Sequence, residues 1–269
     1  MSIARSSLGV SSVMQASNNS FFFISLNEDF SRLGKIHKML PPPIFNNSKM
    51  TIWRIPSAEI EFFKKDTDIL SLDVIRYFDC YYLLIPLTKK SIKNLYKEFF
   101  DYISHDYEHL IDINRNQENI HNLLKLAKDY INNQKRIVIL DYGCGTGISQ
   151  DIAKKLNMKI FGFDICPSMR EIASKKGMIV WEEKDLWLQP ENCIDAVISS
   201  YVFHFLIDDT YLKLLYKILK PNGIIIANFH KNKNRDFIDL SLNKIGFKII
   251  RTQISERKEG HGTYVIYGK

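Results

Sequence analysis

Two carboxylates and a run of glycines carry the first chemical signal. In Val138-Ile139-Leu140-Asp141-Tyr142-Gly143-Cys144-Gly145-Thr146-Gly147 an apolar run ends in an acid and a triple-glycine turn. Glycines let the backbone turn sharply and let a ligand lie against main-chain N–H groups, and a helix opening there adds partial positive charge. The spacing is G-x-G-x-G, and Ile148 stands where a dinucleotide fingerprint wants its third glycine, which weakens a nicotinamide reading. The second carboxylate, Asp164, ends Lys159-Ile160-Phe161-Gly162-Phe163-Asp164, where a βαβ unit holds the two hydroxyls of a ribose. An adenosine ligand is implied. Beyond it, Ile165 and Met169 could offer apolar surface to a purine and Ser168 could cap the next helix. Asp185, in Lys184-Asp185-Leu186, could accept from an adenine amino group. Each acid also has a structural reading: Asp164 closing a strand end, Asp185 a surface charge.

These groups need a scaffold, and from Arg136 the pattern alternates strand and helix. Strands are predicted at Ile137 to Asp141, Lys159 to Asp164, Met178 to Glu182, Ala196 to Ser200 and Gly223 to Asn228. Helices fall between them at Gly147 to Leu156, Ser168 to Lys176, Thr210 to Leu219 and Arg235 to Ile245. Strands separated by helices need a parallel sheet with right-handed crossovers. Phe247 to Ile254 and Thr263 to Tyr267 are joined by a short loop carrying Gly260 and Gly262, which predicts an antiparallel hairpin at the end. The fold class is α/β, doubly wound and mostly parallel, with a C-terminal antiparallel strand.

Upstream, Ile92, Leu95, Tyr96, Phe99, Phe100 and Ile103 recur at helical spacing, and a second helix is predicted from Glu118 to Asn132. Ile120, Leu123, Leu124, Leu126, Ala127, Tyr130 and Ile131 would face inward on it. From Phe21 to Leu95 no period dominates, and Pro41-Pro42-Pro43 blocks a helix. Thr51 to Ile55, Glu59 to Phe63 and Tyr81 to Leu84 suit strands, while Leu70 to Phe78 suits strand or helix. Residues 1–20, rich in Ser and Asn, read as a disordered leader, 21–95 as an extension covering the substrate or forming a dimer surface, and 96–269 as the main domain.

Four segments together resemble the class I S-adenosylmethionine-dependent methyltransferases, in particular the group acting on small molecules. They are Leu140 to Gly147, Gly162 to Met169, Lys184-Asp185-Leu186 and Leu219-Lys220-Pro221-Asn222-Gly223, in the family's order, and the resemblance spans Tyr96 to Lys269. It implies a seven-stranded Rossmann-like sheet and S-adenosyl-L-methionine as cofactor. Asp141 would then orient the methionine ammonium, with Gly143, Cys144 and Gly145 lining the cofactor. Asp164 would hold the ribose, Ile165 and Met169 would sandwich adenine, Asp185 would reach its amino group, and Leu186 and Ser200 complete the set. Tyr102, His105 and Tyr107 match the aromatic lid of the family's N-terminal segment, although ordinary helix packing explains them equally.

The acceptor side is read from Ser199-Ser200-Tyr201-Val202-Phe203-His204-Phe205, at the carboxyl end of the fourth strand of the main domain, where open α/β sheets bind ligands. His204 is the candidate general base, since imidazole titrates near neutrality, against the reading of a packed histidine. Tyr201 and Phe203 would face the substrate, and His230, after the fifth strand, is a second candidate at that edge. There is no Asn-Pro-Pro-Tyr or Asp-Pro-Pro-Tyr run, as in amino-methylating DNA enzymes, and no cysteine for attack on a pyrimidine. Nucleic acid is therefore not an expected partner. The expected reaction is methyl transfer to an oxygen or nitrogen of a small metabolite, an amine, phenol or carboxylate. A methyltransferase-like binding subunit without activity and a nicotinamide-dependent oxidoreductase are the competing classes.

Composition agrees with an enzyme of this kind. The chain's 269 residues are 45% hydrophobic and 25% charged, which is ordinary for a globular protein and excludes collagen-like or wholly disordered architectures. The net charge of +7 is dispersed in ones and twos among acids, with no nucleic-acid-binding block. No apolar run nears the ~18 residues of a membrane span. The four cysteines are far apart and form no C-x-x-C pair, as expected for reduced thiols in the cytoplasm. No metal is called for, and a homodimer is compatible with the extension.

Overall fold

The structure is a computed structural model that describes residues 43–46, 50–56, 73–77, 80–86, 89–131, 136–205, 207–229, 235–255 and 262–269. The strand expected at Glu59 to Phe63, the leader, His230 and Gly260 lie outside these residues. The chain divides into two units, Met1–Phe99 and Phe100–Lys269.

The first unit holds a four-stranded antiparallel sheet in the order β1-β2-β4-β3, built from Phe45–Asn46 (β1), Met50–Pro56 (β2), Asp73–Tyr77 (β3) and Cys80–Pro86 (β4). The ambiguous run at Leu70 to Phe78 is thus a strand, its Tyr77 paired opposite Cys80. Helix α1, Lys89–Ile103, carries the chain to the junction at Phe99.

The second unit is a seven-stranded sheet flanked by helices. Its strands are Val138–Tyr142 (β5), Lys159–Phe163 (β6), Ile179–Trp181 (β7), Ile194–Ser199 (β8), Leu219–Phe229 (β9), Lys248–Ile254 (β10) and Thr263–Gly268 (β11). The order is β10-β11-β9-β8-β5-β6-β7, and β11 runs antiparallel to both neighbours while the other pairings are parallel. This is the α/β class expected, with the hairpin at the expected edge. From β5 the chain winds out to β6 and β7, then crosses back to β8 on the other side. Such a reversal opens a crevice beyond the carboxyl ends of the two central strands.

Neighbouring residues on the central strands face opposite layers, so both faces are apolar. Ile139, Ile160, Ala196, Ile198, Ile224 and Ile226 pack in one core with Ile120, Leu123 and Leu124 of α3, Ile113–Tyr130, with Ala153 of α4, Ser149–Lys155, and with Ala173 of α5, Pro167–Lys175. Leu140, Val197, Ile225 and Ala227 pack in the other with Leu186 of α6, Glu183–Leu188, Leu212 and Leu215 of α7, Asp209–Ile218, and Ile238 and Leu242 of α8, Arg235–Ile245.

Four boundaries differ from expectation for local reasons. Helix α3 starts five residues before Glu118, because Asp112 caps it by accepting from the Arg115 backbone N–H at 3.0 Å. On α3 Tyr130 turns outward, exposed. Helix α4 starts at Ser149, since the glycine turn runs on through Ile148. The unpredicted helix α6 is closed by a capping box in which Glu182 and Asp185 satisfy each other's end of the first turn. A further short helix, α2 at Tyr107–Leu110, links α1 to α3. Among the described residues no helix is long and apolar enough to cross a membrane.

Candidate active site

The site is built at the crevice between β5 and β8. Strand β5 delivers Asp141 to its carboxyl end, where the side chain is only 2% exposed. Its Oδ2 accepts from the Ser149 hydroxyl at 2.5 Å, whereas Oδ1 is buried with no hydrogen-bond partner. Burial, relieved in part by Ser149 and reinforced by Asp164, pushes this carboxyl up to about 7. A buried acceptor without a donor is costly, and a ligand cation would satisfy it.

The turn after Asp141 is tied to β6: the N–H groups of Gly143 and Cys144 both donate to the Phe163 carbonyl, at 2.7 and 3.0 Å. Gly143 has φ +83°, and a Cβ there would stand 2.3 Å from Val202 Cγ2, so only glycine lets the turn and the segment after β8 approach this closely. Cys144 contributes its backbone; its side chain packs in the core against Gly162 and Met178, and burial pushes the thiol up.

Asp164 sits at the end of β6 beside this turn. Its Oδ2 accepts from the Gly145 N–H and its Oδ1 from the Cys166 N–H, each at 2.9 Å. Burial raises its pKa despite those two bonds. Ile165, next in the chain, is 50% exposed and presents bare apolar surface beside the carboxylate. Met169 is 2% exposed and lies inside the protein rather than on the cleft. Asp185 accepts from the Glu182 N–H at 3.0 Å in the α6 capping box, and Leu186 is fully buried in the core.

A strap from the end of α1 through α2 crosses the same edge. Asp101 accepts from the Ser168 N–H at 3.1 Å, at the start of α5. Glu108 accepts from the Thr146 hydroxyl, inside the glycine turn, and from Lys176. Between these anchors Tyr107 lies with its Cε1 only 3.9 Å from the place a Gly145 Cβ would take. Burial, then the charges of Asp164, Tyr201 and Glu108, raise the Tyr107 pKa. The other two lid candidates, Tyr102 and His105, are exposed.

Beyond β8, the Ser200 hydroxyl accepts from Asn119 Nδ2 at 2.8 Å, and Asn119 Oδ1 accepts in turn from the Tyr264 hydroxyl at 2.9 Å. Tyr201 takes φ +58°, and its N–H donates to Asn228 Oδ1 at 2.7 Å. Phe203 points into the core against Tyr142 and Phe229. His204 is half-buried, its ring centroid 4.0 Å from that of Phe205.

Sequence reasoning missed Glu108, Thr146, Asn119 and Asn228. Asn119 left a trace, a polar residue on the apolar stripe of α3 in line with Leu123. Glu108 and Thr146 left none, since their meeting depends on the path of α2.

The residues fit S-adenosyl-L-methionine: a buried carboxylate oxygen in want of a donor, an open glycine turn, and an acid followed by an exposed apolar side chain. Residues 140–227 match the family described as methyltransferase domain. An uncharacterized methyltransferase of Bacillus velezensis is 31% identical over 113 residues, covering 39% of this chain and 53% of that protein. A ribosomal protein L11 methyltransferase of Dictyoglomus turgidum is 32% identical, covering 44% and 41%. Malonyl-[acyl-carrier protein] O-methyltransferase 1 of Ilyobacter polytropus is 36% identical, covering 37% and 40%. The chain spans about half the length of the curated relatives it matches. With the strand order and the matched segment in agreement, the chain carries a class I S-adenosylmethionine-dependent methyltransferase domain, whose cofactor is S-adenosyl-L-methionine.

Proposed function

We propose that the protein transfers a methyl group from S-adenosyl-L-methionine to an oxygen or nitrogen of a small metabolite. The observation that carries this reading is Asp141 Oδ1, buried and without a hydrogen-bond partner beside the open glycine turn. When bound, the cofactor supplies an electrophilic methyl group on a sulfonium. Asp141 receives the ammonium of its methionine portion, Asp164 its ribose hydroxyls, and Ile165 one face of its adenine. Tyr107, held down by Glu108, covers the turn and keeps water out of the reaction. His204 takes the acceptor's proton, and the chain otherwise works by positioning, as an in-line displacement requires.

The test is incubation of the full chain with methyl-labelled cofactor and a panel of small alcohols, phenols and amines. Labelled product is expected, with turnover cut at least about tenfold in His204→Ala at neutral pH. Tight binding of S-adenosylhomocysteine with label appearing only on protein substrates would overturn the small-molecule assignment.

A further inference from the structure

The acceptor's chemistry can be read from the rings that border the site, on the strength of the methyltransferase reading above. Four half-buried rings from three segments adjoin one another: Phe100 at the end of α1, Tyr107 at the start of α2, and His204 and Phe205 in the turn after β8. Phe100 stands edge-on to Tyr107, with centroids 6.2 Å apart at 74°, and edge-on to Phe205, 5.8 Å apart at 79°. Phe205 in turn lies against His204. Tyr107 reaches the glycine turn at Gly145, which joins this cluster to the cofactor's place.

The charges beside the rings are taken up. Asp101 is held by Ser168, Asp164 by Gly145 and Cys166, and Glu108 by Thr146 and Lys176. Lys176 is thereby occupied, and Arg170 donates to the Asp164 carbonyl at 2.6 Å. Asp106 is exposed on the outside of the strap. An ammonium acceptor would look here for a carboxylate to pair with, and a carboxylate acceptor for a cation. Aromatic faces and edges instead suit a flat, uncharged ring, worth about 0.5–1.5 kcal/mol per ring pair beyond area burial.

We infer that the acceptor is a neutral planar hydroxyarene seated among Phe100, Tyr107 and Phe205, with its hydroxyl toward His204. The hydroxyl oxygen bonds to the methyl carbon as the carbon–sulfur bond breaks and leaves a neutral thioether, and the hydroxyl proton passes to the imidazole.

The test is calorimetry on the full chain saturated with S-adenosylhomocysteine, titrated with 2-naphthol, 2-naphthoate and 2-naphthylmethylammonium. 2-Naphthol is expected to bind at least tenfold more tightly than either charged analogue. Phe205→Ala should weaken it at least tenfold, with S-adenosylhomocysteine affinity within twofold of the unaltered chain. Where that variant fails to bind S-adenosylhomocysteine, Phe205→Leu takes its place, with a several-fold loss expected. A charged analogue binding as tightly as 2-naphthol, or 2-naphthol unaffected by the substitution, would overturn the inference while leaving the methyltransferase reading standing. Failure of S-adenosylhomocysteine itself to bind the unaltered chain would remove both.

Discussion

The Asp164 carboxylate accepts the Gly145 N–H across 2.9 Å, so the acid ending β6 holds the shape of the turn that follows β5. One side chain thereby serves two ends: it orders the glycine turn and stands ready for a ribose. Asp164→Ala is expected to weaken S-adenosylhomocysteine binding more than tenfold, or about 1.4 kcal/mol, by calorimetry. Loss of the two backbone bonds should also lower stability by about 1–3 kcal/mol in a urea titration. Unchanged affinity would remove Asp164 from the cofactor site.

Asp141 makes the empty site sensitive to pH. Burial first of all, with the Asp164 charge added and Ser149 opposing, raises its carboxyl from 3.8 to about 7. Between those values the folded chain keeps a proton that the unfolded chain has released, so this group's contribution to stability falls as pH rises through the window. A ligand ammonium favours the carboxylate, so binding expels the proton. Affinity for S-adenosylhomocysteine should therefore rise with pH up to about 7, by at most about tenfold per pH unit. Calorimetry at about pH 6 in two buffers of different ionisation enthalpy should detect proton release, and Asp141→Asn should abolish it.

The glycines of the turn separate stability from binding. A methyl at Gly143 runs into Val202 at 2.3 Å on a backbone of φ +83°, and Gly143→Ala should cost about 1–3 kcal/mol of stability. A methyl at Gly145 meets only Tyr107, at 3.9 Å, but enters the space against which the cofactor would lie. Gly145→Ala should cost about 1 kcal/mol for its left-handed backbone and more than tenfold in S-adenosylhomocysteine affinity. Thermal melts beside binding curves distinguish the two.

Glu108 fastens the strap that bears Tyr107. Burial alone would raise its carboxyl, and the hydrogen bonds from Lys176 and Thr146 outweigh that and hold it below the usual range. Glu108→Gln should speed S-adenosylhomocysteine release several-fold in stopped-flow displacement, with a smaller effect on its association. Exchanging the charges, Glu108→Lys with Lys176→Glu, should slow release again. Equal rates in all forms would mean that the strap does not confine the cofactor.

Much of this arrangement is legible in the residues themselves. The strands and helices from Arg136 onward follow from apolar runs broken by Gly, Pro and capping residues, and Asp141 and Asp164 stand where those runs end. The limits are equally physical. Met169 and Phe203 look the same in sequence whether they line a cleft or fill a core, and packing buries both. Asp185 falls in a family motif yet closes a helix turn, because a carboxylate three residues into a helix finds the N-cap amide first. Helix α6 is too short for a period to reveal it. The pairing of Glu108 with Thr146 joins residues 38 apart in sequence, and only the folded path of the strap brings them together.

The central claim is that the turn after β5 and the acid after β6 form a seat for an adenosyl sulfonium and not for a dinucleotide. Calorimetric titration of the full chain with S-adenosylhomocysteine, and in parallel with NAD, addresses it directly. Micromolar binding of S-adenosylhomocysteine with no heat from NAD is the predicted result. Binding of NAD, or silence for both, would contradict it.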